Sequence, residues 1–435
     1  MQYTSSDVIK FAKENDVKFI RLAFCDVFGT LKNLSVMSDE LPRAFERGIL
    51  FDANAVTGYR DTEDTELLLF PDPSTLTVLP WRPQQGRVVR LFCDIRRPDG
   101  TPFAGDNRAI LTRTLKKAQD MGYTCHIGTD CEFYLFESDE NGNPTRKPHD
   151  QAGYFDVAPL DRGENVRRDI CLTLEEMDIK PESSHHEKGP GQNEIDFKSS
   201  TPLRAADNFL TFKSVVKTMA SRNGLYASFM PKPMYDESGS GLHIKLSLYK
   251  GGANVFRCGE QGLTHEARSF IAGVLRYARQ TSVFLNPLTN SYARLTAAEG
   301  LNRVAWGYRN LSQIVRIPTI CDDLAHLVLR SSDPSCNPYI VFALVLSAGL
   351  EGMEQGYELT DELFCDSAAC LANAAPLPAS LSEAIKEASE GEFLSTVLPH
   401  HQIDGYLAAK RREWDTYITR KDKEDIEREM YFNLI

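Results

Sequence analysis

The stretch Gly128-Thr129-Asp130-Cys131-Glu132-Phe133-Tyr134-Leu135-Phe136 is an apolar strand that two acidic residues interrupt. Side chains alternate between the two faces of a strand, so Asp130 and Glu132 lie on one face and apolar side chains on the other. Two adjacent carboxylates repel each other unless a cation or a proton lies between them. Taken alone, this stretch is explained equally well as the exposed face of an antiparallel sheet.

Two later segments repeat the pattern. The run His185-His186-Glu187-Lys188-Gly189-Pro190-Gly191-Gln192-Asn193-Glu194-Ile195-Asp196-Phe197 has acids on both sides of a Gly-Pro-Gly bend, which can return Glu187 towards Glu194. In residues 239–248, aliphatic residues alternate with His243, Lys245 and Ser247. Core histidines and acids beside a glycine loop are common, but three such strands together predict the floor of one cavity.

The chemistry of these side chains indicates their ligand. Carboxylates with at most one imidazole suit Mg²⁺ or Mn²⁺, whereas structural zinc needs closely spaced cysteine or histidine ligands. Downstream lie arginines suited to carboxylates and phosphates, namely Arg294, Arg309, Arg316 and Arg330. A metal and arginines in one cleft indicate phosphoryl chemistry. The sequence has no GxxxxGK[ST] loop, which excludes a P-loop nucleotide-binding site. A metal-dependent hydrolase is an alternative that also fits the carboxylates.

Composition narrows the class of protein. The 435-residue chain has 61 acidic and 49 basic residues, a formal net charge of −12, which argues against nucleic acid or an anionic membrane as partner. No apolar run of about 18 residues predicts a transmembrane helix, and the polar N-terminus does not resemble a secretory signal. Ten cysteines without a CxxC pair predict free thiols in a reducing compartment, so we expect a cytoplasmic protein.

The first hundred residues predict a small, sheet-rich unit with one helix. A helix at 5–15 is followed by strand-like runs at 18–24, 30–34, 67–70, 76–79 and 88–94. The run Pro98-Asp99-Gly100-Thr101-Pro102 ends this unit, so we expect two domains, residues 1–102 and residues 103–435. The second domain mixes strands and helices and is mostly helical after residue 336.

Together these segments resemble the type I glutamine synthetase family, in collinear order over nearly the whole chain. The motifs are Gly-Thr-Asp-Cys-Glu-Phe at 128–133, Gly-Tyr-Phe at 153–155, His-His-Glu to Gly-Gln-Asn-Glu at 185–194, Gly-Ser-Gly-Leu-His at 239–243 and Asp-Pro-Ser-Cys-Asn-Pro-Tyr at 333–339. The resemblance implies an α+β fold, with a small N-terminal β-grasp domain and a large catalytic domain around a curved antiparallel sheet. It also implies ATP-dependent synthesis of glutamine from glutamate and ammonia through a γ-glutamyl phosphate, with Mg²⁺ or Mn²⁺ as cofactor.

The resemblance gives each candidate residue a role through its motif. It implies that the metal nearest glutamate is held by Glu132, Glu187 and Glu194. It implies that a second metal, next to ATP, is held by Asp130 and His243. Glutamate would be bound by Gly239, Gly241, Arg294 and Arg330, and ATP by Lys245, Ser247 and Arg316. In catalysis, Arg316 would face the transferred phosphate, Glu299 on a flap would shield the intermediate from water, and Asp52 of a neighbouring subunit would deprotonate ammonium.

Several positions depart from the family pattern, mostly on the ATP side. Val328 stands where the second metal site usually has a glutamate, Asp130 where a glutamate is usual, and Lys245 where a histidine is usual. Leu311 replaces an arginine, and Cys321-Asp322-Asp323-Leu324 replaces basic residues. We expect Lys245 to supply part of the positive charge that the missing metal ligand would have helped to hold.

Three functions stay open. The first is glutamine synthesis from glutamate, ATP and ammonia by a homo-oligomer, a double-ring dodecamer with active sites between subunits. The second is γ-glutamyl ligation to another small amine, because the flap is shorter than the family pattern and Asp-Ala-Asn-Ala at 52–55 replaces Asp-Gly-Ser-Ser. The third is a weakly active or inactive relative that binds glutamate, as Val328 and Leu311 indicate. We expect the first.

Overall fold

The computed structural model describes residues 3–56, 58–59, 65–257, 262–296, 301–308, 313–318, 324–362 and 374–435. Within them, a first sheet comprises β1 (Val17–Cys25), β2 (Leu31–Met37), β3 (Ile49–Asp52), β4 (Glu66–Pro71), β5 (Thr77–Val78) and β6 (Arg87–Arg96). Its order is β2-β1-β6-β4-β3, with β5 also on β6. The helices α1 (Ser5–Glu14) and α2 (Leu41–Arg47) bury Val8, Ala12, Leu41 and Ala44 in the core of this sheet.

The second sheet carries the acidic strands that the sequence singled out. Its strands are β7 (Tyr123–Ser138), β8 (Pro144–Pro148), β9 (Pro181–His186), β10 (Gln192–Phe197), β11 (Leu225–Ser228), β12 (Leu242–Lys250), β13 (Ala253–Asn254), β14 (Arg303–Gly307), β15 (Gln313–Arg316) and β16 (Leu327–Leu329). The order β14-β15-β16-β12-β7-β10-β9 places the long strand β7 between β12 and β10. β7 pairs antiparallel with both of them, so its acidic face is flanked by theirs.

Helices surround the second sheet. They are α3 (Asn107–Asp120), α4 (Glu164–Glu176), α5 (Pro202–Arg222), α6 (His265–Leu285), α7 (Thr289–Thr296), α8 (Pro338–Gln355), α9 (Leu381–Glu390), α10 (Phe393–Val397), α11 (His400–Ile418) and α12 (Lys423–Tyr431). α8 is apolar on every side and buried over most of its length, as expected for a core helix. It lies close to α6, because a Cβ at Gly273 would be 2.1 Å from the Ala348 carbonyl oxygen.

A buried arginine joins the first sheet to the helices beside the second sheet. Arg108, on α3, contacts Asp72 Oδ2 at 2.8 Å and Asp94 Oδ1 at 3.4 Å, both in the part of the chain that forms the first sheet. Its Nη1 is also 3.0 Å from Asp207 on α5, whose carboxylate accepts a hydrogen bond from Tyr339 at the start of α8. The guanidinium of Arg108 therefore links the first sheet directly to α5, and through Asp207 to the start of α8.

The α+β fold expected from the sequence is confirmed, with a smaller sheet in the N-terminal part of the chain and a larger, mostly antiparallel sheet after it. The strands predicted at 67–70 and 88–94 lie within β4 and β6, while the run at 30–34 continues to Met37. The division into residues 1–102 and 103–435 stays a prediction. Among the described residues, no helix is long and apolar enough to cross a membrane.

Candidate active site

Three neighbouring strands place two acids and an imidazole side by side. Glu132 on β7 lies directly opposite Glu194 on β10, and Glu194 lies directly opposite His185 on β9. Cross-strand partners share a face and have Cβ atoms about 5 Å apart. The row Glu132–Glu194–His185 therefore crosses the sheet on the face that the sequence predicted to be polar.

The Gly-Pro-Gly bend adds a third acid to this row. The Glu187 amide donates to the Gln192 carbonyl at 2.8 Å, which closes the bend. His185 Nε2 is then 3.0 Å from Glu187 Oε1 and 3.5 Å from Glu194 Oε2. The prediction that the bend returns Glu187 towards Glu194 is confirmed. Ligand atoms of His185, Glu187 and Glu194 all lie within 4.8 Å of one another.

Two of these acids, Glu132 and Glu194, are held in surroundings that disfavour their charged forms. Burial raises the pKa of Glu194, and the carboxylates of Glu132 and Asp196 raise it further. Burial and then Glu187 raise the pKa of Glu132 in the same way. Burial alone would raise the pKa of Glu187, but hydrogen bonds with His185 and Glu194 outweigh it and lower that pKa. A divalent cation would relieve this repulsion, and the oxygen-rich donor set suits Mg²⁺ or Mn²⁺. The residues present therefore fit such an ion.

A tight loop orients Glu132. The Gly241 amide donates to Glu132 Oε2 at 2.6 Å, so the carboxylate has a fixed direction. A Cβ on Gly241 would lie 2.8 Å from Arg294 Nη2, and one on Gly239 would lie 2.8 Å from the Pro231 carbonyl oxygen. Arg294 in turn donates to the Ser331 and Arg330 carbonyl oxygens. Glycine is favoured at position 239 because a backbone carbonyl fills the space of a side chain, whereas a side chain at position 241 would displace the end of Arg294.

A second row runs parallel to the first. His243 on β12 lies opposite Asp130 on β7, and Asp130 lies opposite Asp196 on β10. Ligand atoms of Asp130, Glu194 and His243 are within 4.8 Å of one another. However, Lys245 Nζ is 2.7 Å from Asp130 Oδ1, so an ammonium group already contacts this acid.

Cations surround the second row. The pKa of His243 is well below its usual value, because of burial first and then the charges of Arg330, Arg294, Lys245 and Arg316. Burial and the neighbouring guanidinium groups also lower the pKa of Arg330, to about 10, which leaves it charged at neutral pH. The polar face thus has an acidic half, which suits a cation, beside a basic half, which suits an anion.

Other predicted residues lie outside these rows. Asp52 is at the exposed end of β3 in the first sheet, where its carboxylate accepts from the Asn54 amide at 2.9 Å. The Ser247 hydroxyl is buried and donates to the Ala325 carbonyl at 3.3 Å. Glu299, Arg309 and Leu311 lie outside the described residues.

Sequence reasoning missed His185 and Asp196. Both follow from strand alternation once the register is known, since His185 shares a face with Glu194 and its neighbour His186 points away, opposite Asn193. The buried His186 contacts Asp150 Oδ1 at 2.9 Å. Burial would lower the pKa of His186, but the bond to Asp150 outweighs it and raises that pKa. This ion pair supports the strand that carries His185.

A third cluster of possible ligands, Asp150, Asp161 and His186, is already satisfied internally. Asp161 accepts two hydrogen bonds from Arg167, at 3.1 and 2.5 Å, and Asp150 accepts from the Gly191 amide at 2.8 Å. These contacts balance the charges, so the cluster supports the neighbouring site rather than holding a metal.

A cavity of about 510 Å³ opens beside His185. Its rim includes Phe155, which stacks on Tyr154 with ring centroids 4.0 Å apart. Both rings are more than half exposed, at 51% for Tyr154 and 60% for Phe155. Both rings lie against His185, the end member of the row, with ring centroids 5.7 Å away for Tyr154 and 4.7 Å away for Phe155.

Comparisons with known proteins agree with this geometry. Residues 16–98 match the model of the glutamine synthetase beta-Grasp domain, and residues 104–431 match that of the glutamine synthetase catalytic domain. Glutamine synthetases of Clostridium saccharobutylicum and Methanosarcina mazei are 44% and 43% identical, covering 99% and 95% of both chains. A solved structure of GmaS without ligand superposes with a TM-score of 0.87 at 30% identity, covering 98% of this chain and 100% of that chain. The chain belongs to the glutamine synthetase family of ligases.

Proposed function

We propose that this chain makes glutamine from glutamate, ATP and ammonia. The observation that carries the proposal is the row of Glu132, Glu194 and His185 beside a basic half on the same sheet face. Such a pair of surfaces suits a reaction that joins a carboxylate to a phosphoryl group. A solved relative, GmaS, has been captured with ADP, which supports ATP as the co-substrate here.

The reaction needs two steps. A γ-carboxylate oxygen of glutamate attacks the terminal phosphorus of ATP, and ADP leaves. The ammonia nitrogen then attacks the γ-carbonyl carbon of the acyl phosphate, and inorganic phosphate leaves with the bonding electrons. A Mg²⁺ or Mn²⁺ ion at Glu132, Glu187 and Glu194 would polarise the γ-carboxylate and offset phosphoryl charge.

The chain's own residues would position both substrates. Arg294 and Arg330 would hold the α-carboxylate of glutamate over the Gly239–Gly241 loop, where the backbone leaves room. Arg316 and Lys245 would face the transferred phosphoryl group, with Ser247 further along the same strand face. Asp52 from a neighbouring subunit would accept the ammonium proton, and Glu299 would exclude water from the acyl phosphate.

A second candidate, ligation of glutamate to another small amine, has one specific observation behind it. The cavity beside His185 is lined in part by the exposed ring of Phe155, which stacks on Tyr154, and such an apolar edge suits an amine with an apolar substituent.

One assay separates the candidates. Phosphate release from ATP is measured with Mn²⁺ and glutamate, with ammonia or with methylamine, ethylamine and propylamine, and the product mass is determined. We expect release to require glutamate and ammonia together and to yield glutamine. Asp52→Ala is expected to slow the ammonia step, whereas Asp99→Ala, an exposed acid in a turn, should not. Release only with an alkylamine would support the second candidate, and no release with any amine would contradict both.

We also propose a double-ring dodecamer with active sites between subunits. Exposed apolar side chains follow the aromatic pair, with Val157 at 72% and Leu160 at 61% exposure, and a second copy would cover them. Multi-angle light scattering is expected to give about twelve times the 48.9 kDa mass of one chain. A mass near that of a single chain would contradict the proposal.

A reducing compartment such as the cytoplasm is the location that we propose. Among the described residues, Cys25, Cys93, Cys125, Cys131, Cys171 and Cys336 are free thiols. All but Cys171 are buried, so they behave as core residues. Free thiols of this kind are typical of proteins that fold where glutathione keeps cysteine reduced.

A further inference from the structure

Lys245 lies beside Asp130 in the second row, at the place where the family resemblance implies a second metal ion. Its Nζ is 2.7 Å from Asp130 Oδ1 and 4.0 Å from Glu182 Oε2. The ligand atoms of Asp130, Glu194 and His243 lie within 4.8 Å of one another, but one of these ligands, Asp130, already has the Lys245 ammonium group as its partner. In the structure, an ammonium group of the chain itself contacts Asp130.

The next strand supplies no acidic ligand to this place. Val328 on β16 lies directly opposite Lys245 on one side and Arg316 on the other. Because cross-strand partners share a face, a buried isopropyl group stands between two cations. A divalent cation here would have Asp130, Glu194 and His243 as possible ligands, but it would lie among the positive charges of Lys245, Arg316 and Arg330. The residues do not fit a second divalent cation.

We infer that the Lys245 ammonium replaces a second divalent cation, so that each chain binds a single divalent cation, at Glu132, Glu187, Glu194 and His185. The inference rests on the proposed function for one point only, which is the identity of the anion. That function implies that Lys245, Arg316 and Arg330 face the phosphate chain of ATP. An ammonium group offers one charge and three hydrogen-bond donors, so it can bind a phosphate oxygen without a metal.

The test counts metal ions rather than turnover. Metal-free, full-length protein is titrated with Mn²⁺ in the absence of glutamate, nucleotide and ammonia, and the bound ion is followed by electron paramagnetic resonance. We expect one Mn²⁺ per chain with the spectrum of an isolated ion. Two Mn²⁺ per chain with a spin-coupled spectrum would overturn the inference, whatever the activity of the protein.

Substitutions make the test sharper. Lys245→Met is expected to admit a second Mn²⁺, which would be spin-coupled to the first because both ions would share Glu194. Adding Val328→Glu to Lys245→Met should tighten that second site by about tenfold, since a further carboxylate joins it. Lys250→Met is the control, because Lys250 lies on the same strand but pairs with the exposed Glu266. A folded Lys245→Met protein that still binds one Mn²⁺ would contradict the inference.

If Lys245→Met does not fold, the Mn²⁺ titration of the unchanged protein still shows whether each chain binds one ion or two. Failure of the proposed reaction is a different result, since absence of ammonia-dependent turnover leaves the Mn²⁺ count as it is. Conversely, a count of two would overturn the role of Lys245 and leave the ligase reaction intact.

Discussion

Replacing Glu194 with glutamine is expected to lower kcat/KM by about 10³-fold or more, the effect of losing several kcal/mol of metal-supplied charge stabilisation. Glu194 is the middle member of the row and reaches towards both groups of possible ligands. Glutamine has nearly the same shape, so packing is preserved while the negative charge is removed. The loss should therefore appear in metal affinity as well as in turnover.

The same substitution should not destabilise the metal-free protein. The pKa of Glu194 is raised in the folded chain, so its charged form is less favourable there than in the unfolded chain. Metal-free protein must then lose stability as the pH rises above the ordinary carboxyl pKa of 4.5. Glutamine at this position does not ionise, so the variant does not lose this stability as the pH rises. Thermal unfolding of Glu194→Gln without metal at pH 7 is expected to match or exceed that of the unchanged protein.

Mn²⁺ completes the measurement. It should raise the unfolding temperature of the unchanged protein and have little effect on Glu194→Gln, because binding to the folded state stabilises it. Glu140→Gln is the matched control, an exposed glutamate in the loop that follows β7. If Glu194→Gln kept full activity, or unfolded far below the unchanged protein without metal, the assigned role of this acid would be wrong.

Replacing Arg108 with leucine is expected to cost about 3–5 kcal/mol of unfolding free energy, as when one partner of a buried ion pair is removed. The substitution leaves Asp207 buried, with Arg108 no longer compensating its charge. Burial already raises the pKa of Asp207, and the charge of Arg108 is the main influence opposing that rise. Urea denaturation followed by circular dichroism measures the change.

Two further variants separate charge from packing. Arg113→Leu, at an exposed position on the same helix, should change stability little. The double variant Arg108→Leu with Asp207→Leu should recover part of the loss, because an apolar pair needs no compensating charge. Equal midpoints for Arg108→Leu and Arg113→Leu would contradict the role of Arg108 as a link between the first sheet and α5.

Alternation along single strands was enough to predict the polar face of the site. It separated Asp130 and Glu132 from their apolar neighbours, and β7 carries them as expected. What alternation could not supply is register, which depends on how strands meet across a whole sheet. His185 beside Glu194, and Lys245 against Asp130, are consequences of register, and so neither contact could be predicted.

In the first sheet, the family resemblance predicted a site residue that the periodicity of the sequence could not. Nothing about the local pattern distinguishes Asp52, an exposed residue that caps a short turn. Its proposed role depends on a neighbouring subunit, which a single chain does not contain. The contacts of Arg108 could not be predicted either, because its partners Asp72, Asp94 and Asp207 are far apart along the chain.

The two rows of site residues also limit how such a protein can diverge. Because side chains alternate with period two, inserting or deleting one residue within β7 would turn Asp130 and Glu132 into the core and bring Cys131 and Phe133 to the surface. New chemistry must therefore arise by exchange at fixed positions, as with Lys245 and Val328, and never by a change of length there. Length can vary in the turn at residues 139–143, whose exposed hairpin lies between β7 and β8. An engineer can therefore substitute residues at these positions of the sheet but cannot insert new ones between them.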